Sequence, residues 1–411
     1  MDVDRWKVLQ NMDMEERNNR RKMSSTLLLG KHTERPIENT LFLGAVGTGA
    51  WSFMEENIKH QDTTSMVIVD QRNYLYRNTV DTLIKKGYTV QIVDACEDID
   101  EQLLNSYGNM IKNYNPFAFM ESDVSILNFA TILGKLRFKT EKEIKKKQLN
   151  FYAMKKMLVN YLIYLKEKGC LSGLTMKELY KKMMNGGLDA FIMKDASKLL
   201  VDSTSHDIAC VLSDLNDSMI TSGENTLNLI SLLTEEKQVL FIETKNKVND
   251  SGNLLYVTLL EQLLRMRGDI KFSAASSDHT EFLFFLSSEF PVSLIPDFDN
   301  YMLMTRNMHF VMEAQVIEQF LFADNMEYII YSGDCRNDTA TMEFLSKRAG
   351  TARAKTAFKL NVFDRKNVIP HRHVSLIKTK RTYNLCSFFG VPLAYEYIFE
   401  KEGLTVDEKI K

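Results

Sequence analysis

Thr40-Leu41-Phe42-Leu43-Gly44-Ala45-Val46-Gly47-Thr48-Gly49-Ala50-Trp51 is the stretch on which the reading of this chain turns. Four residues of strand-like composition run into a turn carrying three glycines, and residues 52–60 beyond it have a helix-compatible composition. The pattern then repeats. Residues 65–69 read as a second strand ending at Asp70, 78–86 as a helix closed by Gly87, and 89–93 as a third strand. Strand, helix, strand at this spacing predicts a parallel sheet with crossover helices.

Further on the periodicity becomes helical, with segments at 149–168, 175–184, 194–202 and 207–220 and no convincing strand between 141 and 233. Strands return at 238–243, 282–287, 309–314 and 327–331. Helices at 253–267 and 338–349 lie among them, the second ending at Gly350. The expected organisation is an N-terminal arm (1–30), an α/β core built from 31–140 and 236–411, and an all-helical insertion (141–235).

Composition narrows the class without naming a partner. An apolar fraction of 45% and a charged fraction of 26% are ordinary for a globular protein, and the formal net charge is only −2. The five cysteines are scattered with no C-x-x-C pair, which argues against a disulfide framework or a cysteine zinc site. His371 and His373 lack a third ligand nearby and read as part of a basic surface strand. No stretch approaches the roughly 18–20 apolar residues of a membrane span. The first 25 residues, with Arg17, Arg20, Arg21 and Lys22, read as a docking arm and as neither a signal peptide nor a membrane anchor; the alternative is a short amphipathic helix that docks to a membrane or partner through Trp6, Leu9 and Met12. The expected location is the cytoplasm, at the inner face of the membrane if docked.

The glycine turn has a specific chemical precedent. A working phosphate loop follows G-x-x-x-x-G-K-[ST] between strand and helix: backbone N–H groups face the phosphates, the lysine adds a point charge, and the hydroxyl holds Mg²⁺. Here Gly44, Gly47, Thr48 and Gly49 stand in the right context, but Ala50 occupies the lysine position and Trp51 the hydroxyl position. An indole cannot ligate Mg²⁺ and is expected to fill the phosphate space. On this loop alone, a worn phosphate loop and a plain glycine turn explain the residues equally well.

Other stretches separate the two. Val67-Ile68-Val69-Asp70-Gln71-Arg72-Asn73 is followed by Lys85-Lys86-Gly87-Tyr88 and by Tyr114-Asn115-Pro116-Phe117. Leu283-Phe284-Phe285-Leu286-Ser287-Ser288-Glu289-Phe290 then precedes Ile295-Pro296-Asp297-Phe298. This order resembles the TraG/TraD-like coupling proteins of conjugation and type IV secretion. Their motifs are a phosphate loop, a strand ending in D-P-K-G, K-G-Y, Y-N-P-F, and an apolar strand ending in Asp-Glu-Phe before I-P-D-F. The resemblance spans roughly 40–350, the helical insertion matching in position rather than in residues. In that register Ser288 replaces the metal-organising aspartate and Glu289 keeps the water-activating position; a second register gives Asp297 the acidic role. Arg306 and Gln315 resemble the family's arginine and its γ-phosphate-sensing glutamine.

The resemblance implies a RecA-like P-loop NTPase core with a mostly parallel sheet, an inserted all-helical domain that contacts DNA or secretion substrates, and a ring-shaped oligomer. It also implies N-terminal membrane helices that have no counterpart in this sequence. Losing one positioned electrostatic group commonly costs about 10²–10³-fold in rate, and lysine, hydroxyl and aspartate are all replaced here. The expectation is a pseudo-ATPase with no cofactor, ATP and Mg²⁺ being ancestral. Its expected partners are DNA, an active coupling ATPase or secretion-channel proteins. Rescue by a cation from Lys59, or activity only in an oligomer, are the alternatives.

Charge is unevenly spread. Residues 135–182 carry fourteen Lys/Arg against four acids, so this segment, with Lys142, Lys145, Lys146 and Lys147, is a candidate DNA or polyanion surface. Residues 336–381 are also basic. The plainer reading is a solvated helix surface. Phe138, Phe151, Tyr152, Tyr161 and Tyr164 are interspersed, at a spacing that suits a helix core better than stacking platforms.

Overall fold

The computed structural model describes residues 39–44, 49–71, 74–94, 107–186, 188–192, 194, 196–213, 225–244, 250–273, 281–286, 292–304, 308–315, 317, 325–331, 340, 341, 344, 375–378 and 385–387. Nine strands form one sheet: β1 (Thr40–Leu43), β2 (Ser65–Gln71), β3 (Thr89–Asp94), β4 (Gln238–Thr244), β5 (Phe282–Leu286), β6 (Met308–Ala314), β7 (Tyr328–Tyr331), β8 (Ser375–Lys378) and β9 (Leu385–Ser387). Their spatial order is β3-β4-β2-β5-β6-β1-β7-β8-β9. The first seven run parallel, and β8 and β9 extend the edge antiparallel. The fold is therefore α/β, as the strand–helix alternation predicts.

Both faces of the parallel sheet are covered, which explains why β5 (Phe-Leu-Phe-Phe-Leu) is apolar without alternation. On one face Phe42, Ile68, Phe241, Phe285 and Val311 pack against α1 (Ala50–His60) and α2 (Tyr74–Lys85). On the other, Leu41, Val67, Leu240, Phe284 and Phe310 join a core continuous with the remaining helices. Those are α3 (Asp123–Phe138), α4 (Glu141–Lys146), α5 (Gln148–Glu167), α6 (Met176–Met184), α7 (Lys198–Leu212), α8 (Leu229–Thr234), α9 (Asp250–Ser273) and α10 (Phe298–Met304).

Local chemistry accounts for most boundaries. Thr175 closes a capping box with Glu178, starting α6. Gly87, at φ 83, accommodates the left-handed turn that ends α2. Two departures from the sequence reading have clear causes. The helices expected at 194–202 and 207–220 are one helix over Lys198–Leu212. The intervening Ser203-Thr204-Ser205 does not break it; the Thr204 hydroxyl is satisfied within the helix, donating to the Leu200 carbonyl at 2.6 Å. Helix α3 escaped the pattern because it packs against α5, α7 and α9 at once, so its apolar residues are not confined to one stripe.

The Tyr114–Phe119 motif is architectural. Tyr114 is fully buried, and its hydroxyl donates to Gln262 Oε1 on α9 at 2.9 Å. Gln262 Nε2 donates to the Pro116 carbonyl, and Asn115 Nδ2 to that of Leu174, each at 2.9 Å. Asn115 Oδ1 accepts from Phe117 N, capping a 3-10 turn at Pro116–Phe119. One short segment thus fastens the exit from the sheet to α9 and to the start of the helical bundle.

Candidate functional site

In parallel sheets, ligands sit beyond the carboxyl ends of strands where neighbouring connections diverge. Strands β1 and β6 meet this condition: β1 leads to β2 on one side, and β6 leads to β7 on the other. Their ends are sewn together, since Gly44 N donates to the Ala314 carbonyl at 3.0 Å. Gln315 is the next residue and lies half-buried beside that junction. Gly44 and Gln315 are therefore brought together, as the motif order requires.

Helix α1 starts from the same place. Gly49 is its N-cap at φ 115, a conformation suited to glycine, and its carbonyl accepts from Phe53 N at 2.8 Å. Ala50 is buried against the α1 face of the sheet. The Trp51 indole packs edge-on against Tyr74 at the start of α2, 5.7 Å between centroids. The Tyr74 hydroxyl in turn donates to Glu55 Oε2 at 2.9 Å. The first two residues of α1 thus contribute a methyl group and an indole held by the neighbouring helix. This donor set does not fit a terminal phosphate with Mg²⁺, which needs a cation and a hydroxyl there.

Lys59 does not replace the cation. It lies in the last turn of α1, about 12 Å along the axis from Trp51 at 1.5 Å per residue, and pairs with Glu55 and Glu56. Gly47, Thr48, Ser288, Glu289 and Arg306 lie outside the described residues, as do His371 and His373. Asp297 is exposed with φ 55, at the start of α10 rather than at the end of β5, so its position does not favour the second register.

Asp70, the penultimate residue of β2, is fully buried, in register with Glu243 of β4. It accepts from Tyr74 N at 3.1 Å and Tyr76 N at 2.7 Å, capping α2. Burial pushes its carboxyl up to about 7 despite these donors. The folded chain then holds a proton that the unfolded chain has released, so this group's contribution to stability is lost as pH rises from about 4 to about 7. His309, buried in β6, is pushed down to about 4, so its contribution is lost as pH falls from about 6.5 to about 4. The two trends oppose each other. Asp70→Asn is expected to leave a urea midpoint that falls with acidification across pH 6.5–4, and His309→Leu one that rises. Slopes of the same sign in both variants would contradict this assignment.

The basic candidates are all exposed: Lys142, Lys145 and Lys146 on α4, with Lys147 just beyond it. The interspersed aromatics divide. Phe138, Phe151 and Tyr161 are buried, as their spacing predicts, whereas Tyr152 and Tyr164 are exposed. Lys135 and Lys155, which the sequence reading did not single out, flank the α3–α5 crossing. There a Cβ on Gly134 would lie 2.7 Å from the Phe151 ring and 3.0 Å from Met154 Cε.

No protein-family model matches the chain, and no curated protein matches it in sequence. Solved structures do match. The bacterial conjugative coupling protein TrwBdeltaN70, in an unbound form, aligns with a TM-score of 0.58 at 13% identity, over 86% of this chain and 85% of that one. The plasmid coupling protein TrwB with the ATP analogue ADPNP aligns at 0.58 and 16% identity, over 86% and 85%. TrwB with ADP and Mg²⁺ aligns at 0.58 and 16%, over 89% and 85%. At such identities the likeness shows the fold alone, the one that these TrwB structures share.

Proposed function

We propose that this chain is a non-hydrolysing component of a DNA-transfer machine of the conjugative coupling type, presenting DNA or protein substrate rather than driving it. The observation that carries the proposal is a coupling-protein fold whose helix after β1 opens on Ala50 and Trp51, where a motor needs a cation and a hydroxyl. In this reading ATP and Mg²⁺ are not cofactors, and Glu289 is a remnant with no metal to serve. The partners are DNA, an active coupling ATPase or secretion-channel proteins, and the working form is an oligomer in the cytoplasm, at the inner face of the membrane. No helix among the described residues is long and apolar enough to cross a membrane.

A narrower reading, favoured by the exposed lysines of α4, is a DNA-binding module that keeps the helical insertion without the motor. This module, and the DNA-presenting form of the first reading, predict DNA binding that weakens steeply with salt and is the same with and without ATP and Mg²⁺. Fluorescence anisotropy on a labelled oligonucleotide tests this. No binding at low salt rejects the DNA-binding module and leaves the first reading only its protein-presenting form, and binding that needs the nucleotide rejects the non-hydrolysing one.

A further inference from the structure

Lys147 and Lys155 each sit over one ring of an aromatic pair in the helical bundle, and Lys135 lies near enough for its charge to act on Lys155. Phe138, the last residue of α3, meets Phe151 of α5 with ring centroids 6.0 Å apart. Lys147 Nζ lies over the Phe138 ring at 5.9 Å, and Lys155 Nζ over the Phe151 ring at 5.5 Å. One turn before Phe138, Lys135 Nζ donates to the Ser293 carbonyl at 3.3 Å, in the segment after β5. The two helices approach closely here, Gly134 lying against Phe151 and Met154.

These cations are poorly compensated. No ion pair involves Lys135, Lys147 or Lys155 among the described residues, while nearby Arg137 is committed to Asp207 at 2.8 Å. Lys135 and Lys155 are half-buried. Burial lowers both pKa values; the Lys135 charge lowers that of Lys155 further, and Asp297 partly offsets the effect at Lys135. Desolvated like charges held this way gain from an anion that neutralises them. Their ammonium groups are already positioned by aromatic faces and a carbonyl, so less side-chain entropy is lost on binding than for free surface lysines.

We propose that Lys135, Lys147 and Lys155, set around Phe138 and Phe151, form a preorganised seat for the phosphodiester backbone of a nucleic acid. This rests on the DNA-binding reading and identifies the part of the insertion that grips the strand, with α4 adding looser charge beside it. The seat engages phosphates rather than bases, so it discriminates little between sequences.

The test uses the full chain, a labelled 30-nucleotide DNA of mixed sequence, and anisotropy titrations from 50 to 200 mM salt. Lys155→Gln is expected to reduce the slope of log affinity against log salt by about one, and the Lys135→Gln/Lys155→Gln pair by about two. Lys155→Arg, which keeps the charge, should retain the wild-type slope. An unchanged slope in Lys155→Gln, with unfolding midpoints confirming the fold, overturns the seat while leaving the broader reading intact. Absence of DNA binding by the wild-type chain overturns both. Tight binding to phosphatidylserine vesicles without binding to DNA would assign these lysines to a membrane surface instead.

Discussion

Converting Lys142, Lys145, Lys146 and Lys147 together to alanine is expected to lower DNA affinity by roughly a thousandfold at about 0.1 M salt. The slope of log affinity against log salt should become shallower by about 3–4, because each lost phosphate contact removes about 0.9 of slope on duplex DNA. The size of the effect follows from exposure. All four lysines face solvent, and none makes an ion pair among the described residues that would compete for its charge. Folding should be nearly untouched, since α4 buries no residue fully and its N-cap, Thr140, is retained. Lys147 also belongs to the seat around Phe138, so restoring it alone should recover more affinity than restoring Lys142.

Phe284→Ala is expected to have the largest effect on stability, about 3–5 kcal/mol, a large part of the total for an ordinary domain. Phe284 is fully buried in β5 and stacks on Phe310 of β6 at 5.0 Å and 16°. Phe298 then meets Phe310 edge-on at 5.3 Å, so truncation opens a cavity lined by rigid rings that collapse poorly. Chemical denaturation should show a lower midpoint, and Phe284→Leu a much smaller loss. Equal losses in the two variants would mean that ring packing does not hold this part of the sheet together.

Much of the fold was legible from local pattern because parallel strands covered on both faces are short, apolar and separated by helices. Thr40–Leu43 and the helix stop at Gly87 could be read directly, since their chemistry is contained within a few residues. Helix α3 could not, because its pattern depends on three packing partners distant in sequence. Strands β8 and β9 likewise form through edge pairing rather than through a distinctive run.

The candidate site was legible in its substitutions and not in its geometry. Ala50 and Trp51 declare the missing cation and hydroxyl at once, but only the structure shows the indole seated on Tyr74. Asp70 was recognised as a motif residue, whereas its role as the cap of α2 depends on donors four and six residues further on. Lys135 and Lys155 looked like ordinary members of a basic segment. Their significance comes from the α3–α5 crossing, a contact between residues about twenty positions apart.

The most direct measurement is a titration of the purified chain with a fluorescent ATP analogue in the presence of Mg²⁺, paired with an assay of phosphate release. No saturable binding up to millimolar nucleotide and no turnover above background are expected. Micromolar affinity, with phosphate release abolished by Glu289→Gln, would contradict this and restore the motor to this fold.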